Sequence, residues 1–199
     1  GLGKRDELDP ETARVAAAAA AGRAKELGAV SLSWAAPEGE GIAAGIVEGT
    51  LLKLYAFDRF KSSNSHDDGG IETLELNGGD EAEVGRAHVA AGAANAARDL
   101  QNLPSNFATP SFLAERAAEI ADDYESLEVE LFDGDAIKAH GMGAFAAVAQ
   151  GSVAEPRLIV LRYRPPGAAG PHLGYVGKAV TFDTGGISIK PSAKMQEMK

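Results

Sequence analysis

The chain holds 199 residues, 45% hydrophobic and 24% charged, with a net charge of −10 and no cysteine. That balance fits a soluble intracellular domain, and no apolar run approaches the roughly 20 residues needed to span a membrane. The lack of cysteine excludes a disulfide framework and thiolate metal ligands, while the acidic balance disfavours a nucleic-acid partner, which calls for clustered Lys and Arg.

The chain opens Gly1-Leu2-Gly3, without a basic n-region or an apolar h-region, so nothing marks it for export and a cytoplasmic location is expected. Asp9-Pro10-Glu11 caps an alanine-rich helix running to about Leu27, where Gly28 is a natural stop. Ala29 to Ala35 alternates like a strand, Pro37 to Gly41 breaks the chain, and Ile42 to Phe57 reads as helical. Ser62 to Gly70 is a polar loop. Its His66, Asp67 and Asp68 lack a recognisable metal-ligand spacing and read as solvated.

Ile71 to Leu76 alternates as a strand, Gly78-Gly79-Asp80 turns, and Glu81 to Leu100 is a long alanine-rich helix carrying His88, a surface or partly buried histidine. Thr109-Pro110 opens a further helix to about Tyr124. Leu127 to Phe132 is a strand, Asp133-Gly134-Asp135 is a helix cap rather than a calcium loop, and Ala136 to His140 is a short helix. Arg157 to Tyr163 reads as a central strand, apolar on both faces. Alternating helices and strands without a repeat period give the class α/β.

The chemistry gathers at the end of the chain. Lys178 follows the apolar run Leu173 to Val176, Asp183 precedes a Thr-Gly-Gly turn, and Lys190 ends a short Ile-Ser-Ile strand, so the three are expected to meet at one sheet edge. A carboxylate there can hold a cation. Lys178 beside it has three possible roles: an ordinary surface ion pair with Asp183, an anion clamp, or a neutral amine bound to metal. A phosphate loop is excluded, since position 172 is His and position 179 is Ala where that motif needs Gly and Ser or Thr.

The run from Gly177 through Asp183-Thr184-Gly185-Gly186 to Lys190-Pro191, followed by Met195 and Glu197-Met198-Lys199, resembles the metal-binding region of the M17 leucyl aminopeptidases. Ala97 to Asn106 with Thr109-Pro110 is similar to that family's interdomain segment, and Gly141 to Phe145 with Val148 to Ser152 resembles another of its blocks. The resemblance implies that Lys178 and Asp183 are ligands of two divalent cations, Zn²⁺ or Mn²⁺, with Asp183 bridging them. It makes Lys190 the catalytic lysine that polarises the scissile carbonyl and Met198 part of the substrate pocket, and it places Lys178, Asp183 and Lys190 against the substrate.

It further implies a metal-dependent aminopeptidase of Leu-like preference acting on peptides and a homo-hexamer when full length, while the acidic balance and the lack of a spanning run give the expectation of no nucleic-acid and no membrane partner. On the family's pattern, residues 1–85 are the later part of an N-terminal α/β, macro-like domain, 86–103 a linker helix, and 104–199 the first part of a peptidase domain with a central mixed sheet. The start of the first domain and the C-terminal half of the second, with its remaining acidic ligands, would lie outside this chain. The site is then incomplete here, and the chain alone is expected to be inactive and aggregation-prone. The competing functional class is a non-catalytic assembly subunit or binding module retaining the fold.

Overall fold

The computed structural model describes residues 2–62, 70–193 and 195, so the loop bearing His66, Asp67 and Asp68, and also Met198, lie outside the described residues. The chain divides into two compact units, Gly1–Asn102 and Leu103–Lys199.

The first unit is α1 (Pro10–Glu26), β1 (Ser31–Ala35), α2 (Ile42–Leu54), β2 (Thr73–Asn77) and α3 (Glu81–Asn102). Asp9 starts α1 as its position predicts: its carboxylate accepts the Thr12 N–H at 2.7 Å, and Pro10 occupies the first turn. Ala13, Ala17 and Ala21 recur every fourth residue and are buried, which gives α1 a face of small side chains. α2 meets that face with Gly45 and Gly49. A Cβ at either position would run into a main-chain carbonyl of α1, that of Pro10 or Arg14, so the two helices touch backbone to backbone. Arg14 and Glu48 form an ion pair at 2.7 Å across this contact.

Ala13, Ala17, Ile42 and Ile46 form the core, with Leu8, Trp34, Ala36 and Leu76 packed on it. β1 and β2 pair in parallel from Ser31↔Thr73 to Ala35↔Asn77, and α2 lies in the crossover that parallel pairing requires. Asp80 precedes α3, and its carboxylate accepts the Glu83 N–H at 2.8 Å. Near its end α3 closes α2: Asn95 Nδ2 donates to Leu51 O at 3.2 Å and Arg98 Nη1 donates to Leu52 O at 2.9 Å, supplying partners that the last turn of a helix lacks.

The second unit is α4 (Pro110–Asp122), β3 (Leu127–Phe132), α5 (Gly134–Ala139), α6 (Gly143–Ala149) and β4 (Leu158–Tyr163). Thr109 caps α4 by accepting the Phe112 N–H at 3.2 Å, and Asp133 caps α5 by accepting the Ala136 N–H at 2.8 Å. β3 and β4 are antiparallel from Leu127↔Tyr163 to Phe132↔Leu158, with α4 packed against them. The α/β class holds in both units. β4 is less enclosed than its Leu-Ile-Val-Leu sequence predicts, because Leu161 and Tyr163 remain 44% and 69% exposed. The short helix α6 has no counterpart in the sequence reading. From Arg164 to Ala193 the described chain is neither helix nor strand.

Candidate metal and catalytic loop

Lys178, Asp183 and Lys190 all fall in this irregular stretch. The expected sheet edge is absent: Leu173–Val176 and Ile187–Ile189 form no strand, and Tyr175 and Ile187 are almost fully exposed. A strand needs a hydrogen-bonding neighbour, and no ladder reaches these segments among the described residues. The residues are gathered instead by a loop that closes on itself.

The closure begins at Asp183. Its Oδ1 accepts the Gly185 N–H at 2.9 Å, the two-residue reach by which an aspartate mimics a backbone turn. Gly185 and Gly186 then take φ values of +90° and +66°, left-handed conformations that favour glycine. A side chain at Gly185 would also collide with the Ser188 carbonyl and crowd Lys190 Cγ. The chain therefore folds back, and the Lys190 N–H donates to Thr184 O at 2.8 Å. That bond returns the Lys190 side chain to the start of the loop, where Nζ lies 3.1 Å from Asp183 Oδ2.

The Gly185 N–H first, and then the Lys190 ammonium, hold the Asp183 carboxyl below its ordinary value, with a smaller Coulombic pull from Lys178. Asp183 is thus an anion at neutral pH. The structure joins Asp183 directly to Lys190, while Lys178 acts on it at longer range. The ion pair is therefore not the Lys178–Asp183 pair that an ordinary surface reading predicts. The part played by Gly185 was also missed, although an Asp two residues ahead of a glycine is the signal for such a turn.

As donors, a carboxylate and an amine suit a divalent cation of the Mn²⁺ or Zn²⁺ kind, and Asp183 is accessible from solvent. They are part of a ligand set. Four to six donors surround each such cation, as an order-of-magnitude guide, and no group of three or more His, Asp or Glu residues able to hold a metal occurs among the described residues. A separate concavity of about 580 Å³ lies in the first unit where the helices begin, lined by Pro10, Glu40, Gly41, Asp80, Glu83 and Arg86. It contains none of the three loop residues.

Residues 1–64 match the N-terminal domain model of the cytosol aminopeptidase family, and residues 95–199 match its catalytic domain model. A probable cytosol aminopeptidase of Solibacter usitatus is 45% identical over 165 residues, covering 81% of this chain and 34% of that protein. Among solved structures, the bottromycin maturation enzyme BotP in complex with Mn is similar at 32% identity with a TM-score of 0.84, over 97% of this chain and 41% of that one. A tomato leucine aminopeptidase mutant is similar at 28% identity with a TM-score of 0.69, over 85% of this chain and 36% of that one. The chain thus spans a third to two fifths of the proteins that it resembles. Two domain models of one family, matched in order along the sequence, show that the chain belongs to the cytosol aminopeptidase (M17) family.

Proposed function

We propose that this chain carries the opening part of the catalytic apparatus of a metal-dependent aminopeptidase, which releases N-terminal, Leu-like residues from peptides by two-metal hydrolysis. The observation that carries this reading is the loop that presents an ionised Asp183 beside Lys190. The Mn of the BotP complex and the name of the tomato enzyme support the cation and the substrate class.

In the complete enzyme Asp183 would be a carboxylate ligand of the cations, its orientation fixed through Oδ1 by the Gly185 N–H. Lys178 would be the nitrogen ligand. An ammonium has no lone pair, so ligation requires Lys178 to give up a proton. Lys190 would direct its side chain at the scissile carbonyl oxygen, where negative charge develops. Met198 lines the pocket for the first side chain of the peptide. The cations supply Lewis acidity and a nucleophile at neutral pH when bound.

The two donors found among the described residues cannot enclose two cations, so the chain by itself is inactive. The complete protein is a cytoplasmic homo-hexamer acting on peptides, and its domains divide here into residues 1–85, a linker helix 86–103 and a peptidase part 104–199. The test is a chimaera joining this chain to the part of the Solibacter usitatus relative that lies beyond the matched residues. With Mn²⁺ or Zn²⁺ it should hydrolyse a leucyl amide but not the N-acetylated amide, and Asp183→Ala should lower turnover by at least a hundredfold, the order of loss seen when an essential group is removed. Undiminished turnover in Asp183→Ala would overturn the assignment.

A further inference from the structure

The chain holds five asparagines, and only Asn77 is followed by glycine. In that pair the main-chain nitrogen of Gly78 can reach the side-chain amide carbon of Asn77, because glycine has no Cβ to block the approach. The fold leaves the pair open. Asn77 is the last residue of β2, both it and Gly78 are exposed, and Gly78 leaves the strand with a φ of +99°. Among the described residues the Asn77 amide has one partner, Ser33 Oγ at 3.5 Å from Nδ2, the outer limit of a hydrogen bond. The Gly78 N–H donates no hydrogen bond among them. The corresponding Asp133-Gly134 pair is tied on both sides: the Asp133 carboxylate accepts the Ala136 N–H at 2.8 Å, and the Gly134 N–H donates to Glu155 Oε1 at 3.4 Å.

We propose that Asn77 is a site of spontaneous modification, at which the folded chain converts this asparagine to aspartate and isoaspartate. The Gly78 nitrogen gives its proton to hydroxide and bonds to Asn77 Cγ. The Cγ–Nδ2 bond breaks, and the amide nitrogen takes a proton from water and departs as ammonia. Water then opens the resulting cyclic imide. Breaking the new N–Cγ bond gives aspartate with an unchanged main chain. Breaking the original peptide bond gives isoaspartate, whose main chain runs through Cβ and Cγ and leaves the former backbone carbonyl as a free carboxylate.

Isoaspartate strikes the end of the β1–β2 pair. Asn77 O accepts the Ala36 N–H at 2.9 Å, just beyond the Ala35↔Asn77 register, and this is the carbonyl that leaves the main chain. The lengthened chain cannot relax towards α2, since even a Cβ on Gly79 would collide with that of Ala43. The Ala36 bond is therefore expected to open.

The test is incubation of the 199-residue chain in mildly alkaline buffer, followed by peptide mass spectrometry for the exchange of amide for carboxylate at each asparagine. Isoaspartate is counted in the same peptides by methyl transfer from S-adenosylmethionine with an isoaspartyl methyltransferase. Asn77 should convert at least about tenfold faster than Asn95, Asn102 or Asn106, a barrier difference of about 1.4 kcal/mol. Asn77→Gln, whose longer side chain cannot close the same ring, should show neither change at this position. The Ala36 N–H should exchange hydrogen faster in the aged chain than in the fresh one, and equally in aged and fresh Asn77→Gln. Conversion at Asn77 in the folded chain no faster than at the other asparagines, whether or not it is fast in urea, shows that the fold protects the pair and overturns the proposal. Methyl incorporation into the chain that is undiminished in Asn77→Gln places the isoaspartate elsewhere and overturns it as well.

Discussion

Asp183 is held by two different kinds of partner, a backbone N–H on one oxygen and a side-chain ammonium on the other, and both favour its charged form. Its pKa in the folded chain is accordingly lowered from the ordinary 3.8. A lowered carboxylate stabilises the fold above its unfolded value, and that stabilisation is lost as the pH falls through the lowered folded value. Carbon-13 titration of the Asp183 carboxyl should therefore give a midpoint below 3.8, moving upward in Lys190→Gln but not fully back, because the Gly185 bond remains. A midpoint at or above the ordinary value would show that the loop does not close as described. Asp183, Lys178 and Lys190 were legible in the sequence as chemistry-bearing residues around a glycine turn. Which lysine meets the carboxylate was not legible, because that depends on the Thr184–Lys190 backbone bond, and linear spacing does not reveal where a loop closes.

Three helices in this chain announce their beginnings. Asp9, Thr109 and Asp133 each accept a backbone N–H three residues on, a local interaction that the sequence states outright. Packing between helices is less visible. Gly45 and Gly49 look like weak helix formers, yet their lack of a side chain is what lets α2 lie on the Pro10 and Arg14 carbonyls of α1. Gly49→Ala should destabilise the first unit by roughly 1–3 kcal/mol through overpacking against backbone that cannot yield. Gly85→Ala on α3 has open space around its new methyl and should stabilise by roughly 0.5–1 kcal/mol from helix propensity alone. Urea unfolding followed by fluorescence of Trp34, the single tryptophan and a neighbour of this core, measures both. Equal effects of the two substitutions would contradict the close helix contact. Strands were read well where a partner exists, as for β1 with β2 and β3 with β4, and wrongly at Ile187–Ile189. A strand is not a local object, and apolar alternation cannot report a missing neighbour.

Across the whole molecule, exposed apolar side chains concentrate in the second unit, among them Leu161 and Tyr163 on β4 and Tyr175, Val176, Ile187 and Ile189 along the terminal stretch. Beyond the β3–β4 pair, neither strand has a further neighbour among the described residues. An uncovered sheet face and open strand edges are surfaces that ordinarily take further chain. The relatives are longer, the present sequence covering 34% of one and 41% of another. Among the described residues no helix is long and apolar enough to cross a membrane. The central proposal is that Asp183 would hold the metals of an aminopeptidase site, and the most direct check is the manganese content of the chimaera, measured by plasma mass spectrometry after gel filtration. The account predicts that Asp183→Ala loses bound manganese and leucyl-amide turnover together. Full manganese content in that variant would contradict it.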